Sequence, residues 1–147
     1  MPRADFNCVA RLRVRWAEVD MQKIVFNGHY LTYIDTAIAE YWRAIGLAYP
    51  HGYVERYGAD VYLRKATVEY LGSARYDDLL EVACRVARLG RTSMTFAFEI
   101  CREGEAAPLV TAELVYVNAD ASMQPAPLPQ EVRERVLRYE PVAPATA

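Results

Sequence analysis

The chain has 147 residues, 53% of them hydrophobic, a length at which one compact domain buries about two-thirds of its unfolded surface. Neither a disulfide framework nor a structural metal is needed to hold such a domain, and a disordered tail protein is excluded. With 17 basic residues against 19 acidic ones and a net charge of −2, the chain lacks the basic footprint of a nucleic-acid binder, so small near-neutral or acidic partners fit better.

Three cysteines, Cys8, Cys84 and Cys101, form an odd set without CxxC spacing, and the first residues contain no apolar signal region. Both features suggest a reducing cytoplasm. No apolar run approaches the roughly 18 residues needed to span a bilayer, so no transmembrane segment is expected. The chain reads as a single domain over 1–147, with its core at about 8–138 and a Pro/Ala-rich tail at 139–147.

Residues 11–16, RLRVRW, alternate apolar and basic and predict a half-buried strand. Over 28–47 the period changes: Thr32, Asp35, Thr36, Glu40 and Arg43 recur every three or four residues between apolar and aromatic side chains, as in a long helix with a narrow polar stripe. Its broad apolar face needs a curved sheet to cover it, and Gly46 is placed to end it. The breakers Pro50, Gly52 and Gly58 mark 48–59 as a loop that could contain a short turn of helix. Strands follow over 60–70, 79–89, 93–101 and 109–117 as an antiparallel meander. Val132 and Val136 give a short helix, and the end is expected to fray. One long helix against about five antiparallel strands is α+β.

Only two histidines are present, His29 and His51, with no HExxH, P-loop, GxGxxG or GxSxG pattern. Metal catalysis, nucleotide-phosphate transfer and serine-triad hydrolysis therefore lose support. The junction WAEVDMQKIVFNGHY instead sets carboxylates, Glu18 and Asp20, just before a long helix. A helix N-terminus carries unpaired N–H groups and partial positive charge, which can stabilise an oxyanion, while a carboxylate attacks or activates water. Ester or thioester hydrolysis needs those two parts. If strand alternation continued from Trp16, Glu18 and Asp20 would share one face. His29, at the helix start, is a candidate acid–base group.

The run RVRWAEVDMQKIVFNGHYLTYIDTA, with RKATVEYLGSARYDDLLEV, RLGRTSMTFAFEI and LVTAELVYVNADASMQPAPLP, resembles the hotdog-fold acyl-CoA thioesterases of the 4-hydroxybenzoyl-CoA thioesterase type. The resemblance is strongest to the branch associated with the bacterial Tol-Pal system. It covers about 8–138 and implies a five-stranded antiparallel sheet wrapped around one helix. It also implies homodimers formed through the sheet edge, stacked into homotetramers, with the active site between two protomers. Asp20 matches the essential aspartate, acting as nucleophile or general base, and Asn27 matches the residue whose backbone N–H polarises the thioester carbonyl. Coenzyme A, part of the substrate rather than a bound cofactor, would run past Arg88, Gly90, Arg91, Thr92 and Ser93, with Tyr30 lining the acyl pocket after its role in the core.

This chain departs from the family at three places. Glycine usually stands at Lys23, so a turn with φ > 0 must be rebuilt or strained. Histidine often stands at Asn27, and asparagine or a small polar residue at His29. A non-catalytic hotdog scaffold, with Lys23 disrupting the loop, is the alternative reading. A hotdog dehydratase using His29 with Asp20 is a third, although that pairing does not match the dehydratase motif. The acyl group, whether short, long or aromatic, is left open.

Overall fold

The computed structural model describes residues 3–146. The chain runs β1 (Cys8–Arg13), α1 (His29–Ala44), β2 (Asp60–Tyr70), β3 (Leu79–Leu89), β4 (Ser93–Arg102), β5 (Val110–Ala119), α2 (Gln130–Tyr139) and β6 (Ala145–Thr146). The sheet order is β1-β3-β4-β5-β2, every pair antiparallel, with β6 added in parallel to β3. The expected α+β architecture is present, with the sixth strand as an addition.

Alternation in β4 turns Met94, Phe96, Phe98 and Ile100 toward α1, whose Tyr33, Ile34, Ala37, Tyr41 and Trp42 meet them in the core. Phe96 stands edge-on to Tyr41 at 5.4 Å, and Trp42 edge-on to Tyr53 at 5.1 Å. Such aromatic pairs add about 0.5–1.5 kcal/mol each beyond area burial. Bulges at Leu63/Lys65 in β2 and Val86/Arg88 in β3 bend the strands and curl the sheet about the helix. α1 stops where Gly46, at φ +80°, takes a conformation a side chain would resist.

Three expectations need correction. The first strand occupies Cys8–Arg13 rather than 11–16: pairing with β3 ends at Arg13, and Trp16–Glu18 coil into a 3-10 turn that leaves Trp16 75% exposed. The parity argument that put Glu18 and Asp20 on one face fails with it. The tail does not fray throughout, because Ala145 and Thr146 pair with β3 and Glu140 is buried. Glu140 Oε2 accepts the Val86 N–H next to the bulge at 2.8 Å and the Tyr41 hydroxyl at 2.6 Å. The 48–59 segment holds a π-helical turn over His51–Glu55, as its short-helix provision allowed.

Among the described residues β2 is an edge strand paired only with β5, and most of it is exposed on both faces. Leu63 and Tyr70 are each about half exposed. Among the described residues no helix is long and apolar enough to cross a membrane.

Candidate active site

Beyond β1, Val14 exchanges backbone hydrogen bonds with the β2–β3 loop, donating to Asp78 O at 2.9 Å and accepting from Asp77 N–H at 3.1 Å. The chain then makes a tight hairpin in which Val19 pairs with Val25. Asp20 N–H donates to Ile24 O at 3.0 Å and Lys23 N–H to Asp20 O at 2.9 Å. Asp20 Oδ1 accepts Gln22 N–H at 2.8 Å, an Asx turn that orients the carboxylate from within its own loop. Lys23 has φ +65°, so the glycine-like turn is strained and not rebuilt. The hairpin's backbone hydrogen bonds are made with Lys23 in this conformation.

The two candidate carboxylates have opposite environments. Glu18 is 6% exposed; its Oε1 accepts Arg15 N–H at 2.8 Å and the Tyr33 hydroxyl at 2.9 Å, and its Oε2 accepts Arg15 Nε at 3.0 Å. Burial pushes the Glu18 carboxyl up, but the bonds from Arg15 N–H, Tyr33 and the Arg15 guanidinium outweigh it and hold the group below the ordinary glutamate value. A carboxylate so fully engaged is an anchor: its own carbonyl accepts Phe26 N–H at 3.0 Å, so Glu18 fastens the Asp20 hairpin to α1 through Tyr33. Asp20 is half-buried at the mouth of an open cleft of ≈ 770 Å³ lined by Trp16, Val19, Met21, Lys23, Arg75 and Tyr76. It is the carboxylate a ligand can reach.

α1 begins at His29 with Gly28 before it, no side chain capping it and no acidic residue in its first turn. His29 N–H returns to Phe26 O at 2.9 Å, and Asn27 O accepts the Tyr70 hydroxyl at 3.3 Å from the end of β2. Among the described residues, Asn27 N–H and Gly28 N–H meet no protein acceptor, so donors at the positive end of the helix are open. The His29 ring stands edge-on to Phe26 at 5.9 Å. Tyr30 is 2% exposed, and its hydroxyl accepts Ala74 N–H at 2.9 Å, which locks the helix start to the β2–β3 loop. His51 pairs with Glu55 on the distant π-helical turn.

Arg88, Gly90, Arg91, Thr92 and Ser93 form the β3–β4 hairpin, where Gly90 N–H donates to Ser93 O at 2.8 Å. Thr92 O accepts Asn118 N–H at 2.8 Å, Arg91 O accepts Leu128 N–H at 2.9 Å, and Arg133 clamps the Gly90 and Arg91 carbonyls. Within one protomer this hairpin does not meet Asp20. The cleft lies beside the Leu79 end of β3 and the hairpin at its Leu89 end, roughly 30 Å away at 3.3 Å per residue.

The Thioesterase superfamily matches residues 22–108 of this sequence, more than half of the chain. The chain belongs to that superfamily. The acyl-CoA thioester hydrolase YbgC of Escherichia coli O6:H1 is 30% identical over 122 residues, 82% of this chain and 89% of its own. A thioesterase from Thermus thermophilus, whose crystal structure is complexed with coenzyme A and Zn, is 27% identical with a TM-score of 0.80, covering 92% of this chain and 96% of that one. A crystal structure of an Aquifex aeolicus protein, AQ1494, gives 28% identity and a TM-score of 0.77 over 87% of this chain and 98% of its own. The fold is the hotdog of this superfamily, shared with both of these structures. Among the described residues, no group of three or more His, Cys, Asp or Glu side chains is placed to hold a metal ion.

Several site residues of this superfamily member escaped the sequence. Tyr33 read only as helix core, yet its hydroxyl holds Glu18; Tyr70 read only as a strand residue, yet it bonds Asn27. Arg75 and Tyr76 lie in a turn 55 residues beyond Asp20 and reach the cleft because Val25 N–H donates to Ala74 O at 2.9 Å. Nothing local in the sequence signals that bond.

Proposed function

We propose that this protein hydrolyses acyl-CoA thioesters to the free acid and coenzyme A. The observation that carries the reading is the division of labour between two carboxylates: Glu18 is consumed in anchoring, while Asp20 stands at an open cleft on a loop fixed to the start of α1. The thioester carbonyl oxygen would take the Asn27 N–H, where the helix dipole favours developing negative charge. Asp20 would then attack the carbonyl carbon or take a proton from attacking water, and both roles fit its exposure. The superfamily match and the similarity to an acyl-CoA thioester hydrolase and to a coenzyme A-bound thioesterase support the same reaction.

The free β2 edge supports the expected homodimer. Ser93 and Tyr62 both register against Val117, so the β3–β4 hairpin sits at the Asp60 end of β2, while Tyr70 at the other end holds Asn27. Antiparallel pairing of two β2 edges brings the hairpin end of each protomer toward the Asn27 end of the other. Coenzyme A bound at Asp20 of one protomer would then pass Arg88, Gly90, Arg91, Thr92 and Ser93 of its partner, which reconciles the separation within one chain. Stacking into tetramers, a cytoplasmic setting, the Tol-Pal-associated branch and the lack of a bound cofactor complete the proposal. Release of free coenzyme A from short, long and aromatic acyl-CoAs tests it. Turnover of at least one class is expected, and acyl-CoA binding without turnover across the panel would refute it.

A further inference from the structure

Arginines bordering the Asp20 cleft are neutralised by carboxylates: Arg13 closes on Asp77 at 3.2 Å, Arg15 on Glu18 and Arg102 on Asp78 at 2.9 Å. Lys23 and Arg75, which line the cleft itself, are not. Among the described residues neither side chain forms an ion pair: Asp77 is engaged by Arg13, Asp78 by Arg102 and the Arg75 backbone N–H, and Asp20, the acid that lines the cleft with them, pairs with neither. The two cations come from separate segments, the Asp20 hairpin and the β2–β3 loop, which the Val25 N–H to Ala74 O bond holds side by side. Lys23 also occupies its place at a cost, since a side chain at φ +65° is disfavoured by about 1 kcal/mol where glycine would fit freely. Trp16 and Tyr76, edge-on at 5.3 Å, complete the wall around the cations.

We infer that Lys23 and Arg75 read a carboxylate on the acyl group, so that the preferred substrates are short acyl-CoAs ending in an acid, of the succinyl or glutaryl kind. The inference rests on the thioesterase reading and names its substrate class. Two cations sharing one cleft with Asp20 sit next to the reacting carbonyl. The phosphates of coenzyme A are separated from that carbonyl by the whole pantetheine arm, whereas the far end of a four- or five-carbon diacid is not. A carboxylate there gains charge-assisted hydrogen bonds that a methyl group cannot make.

The test compares kcat/KM for succinyl-CoA and butyryl-CoA in wild type, Lys23→Gly and Arg75→Gln. Lys23→Gly removes the charge and relieves the backbone strain, so it should fold; unfolding curves check this. Wild type should favour succinyl-CoA by about ten-fold or more, and each variant should lower the succinyl-to-butyryl ratio about ten-fold. An unchanged ratio, or no preference in wild type, overturns the inference. A loss on both substrates that disappears with acyl-pantetheine thioesters, which lack the nucleotide phosphates, reassigns the pair to coenzyme A and also overturns it. Turnover of butyryl-CoA separately tests the thioesterase reading. Should neither ester turn over, the affinities of the matching non-hydrolysable thioethers decide by the same ratio.

Discussion

Replacing Glu18 with alanine removes the acceptor for three donors at once. The Tyr33 hydroxyl is left buried and unpaired, a loss of about 1–3 kcal/mol. The Arg15 guanidinium belongs to a side chain 75% exposed, so water replaces its partner and it adds at most about 1 kcal/mol; the part-buried Arg15 backbone N–H also loses its acceptor and adds about 0.5–1 kcal/mol. The total of about 2–5 kcal/mol lowers Tm by roughly 6–15 °C for a domain of this size. Glu18→Gln keeps an oxygen for both Arg15 N–H and Tyr33 and gives up only the exposed guanidinium contact, so it should cost under about 1 kcal/mol. Equilibrium unfolding of Glu18→Ala, Tyr33→Phe and the double variant should show a coupling of about 1–2 kcal/mol between the two sites. Thioester turnover should fall with loss of the anchor in Glu18→Ala and largely persist in Glu18→Gln. Equal destabilisation by alanine and glutamine, or additive costs in the double variant, would refute the anchoring argument.

Burial holds the Glu140 carboxyl above its ordinary value of 4.5 against the opposing bonds from Tyr41 and Val86, and its Oε1 is buried without a partner. Cys84 and Arg85 of β3 and Cys8 of β1 face it, with Tyr139 beside it at the end of α2. The folded state therefore keeps a proton that the unfolded chain has released, and stability falls as pH rises above about 4.5. Urea midpoints should show Glu140→Gln removing that decline, and parallel pH curves would contradict it. All three cysteines are free and buried, with burial pushing Cys8 up to about 11 and Cys84 well above the usual thiol range. A thiol reagent at pH 8 should label them slowly in the native protein and rapidly in denaturant, so fast native labelling would show that this part of the core opens.

The helix and the meander were legible because their signal is periodic. Asp60–Tyr70 and Leu79–Leu89 fall where β-formers and turn residues put them, since each is bounded by breakers such as Gly58, Gly72 and Gly90. The first strand was misplaced because Trp16 continues the apolar parity of Leu12 and Val14 while serving the cleft rather than the sheet. Alternation reports that a side chain is apolar, not what covers it. The tail was misread because Glu140 looks like a solvated charge until the bulge at Val86 supplies a donor beside it. Asp20 and the helix start were visible as a spacing. The preference for Asp20 over Glu18 on physical grounds came from hydrogen bonds, above all from Tyr33, fifteen residues away in sequence.

The most direct test of the central claim is the release of coenzyme A by wild type and Asp20→Asn on the best acyl-CoA substrate, measured side by side. Asparagine keeps an oxygen for the Gln22 N–H, so the loop and Tm should be retained. Turnover should fall by a factor on the order of 10² to 10⁴ with the assembly intact. Near-wild-type hydrolysis by a folded Asp20→Asn protein would contradict the account.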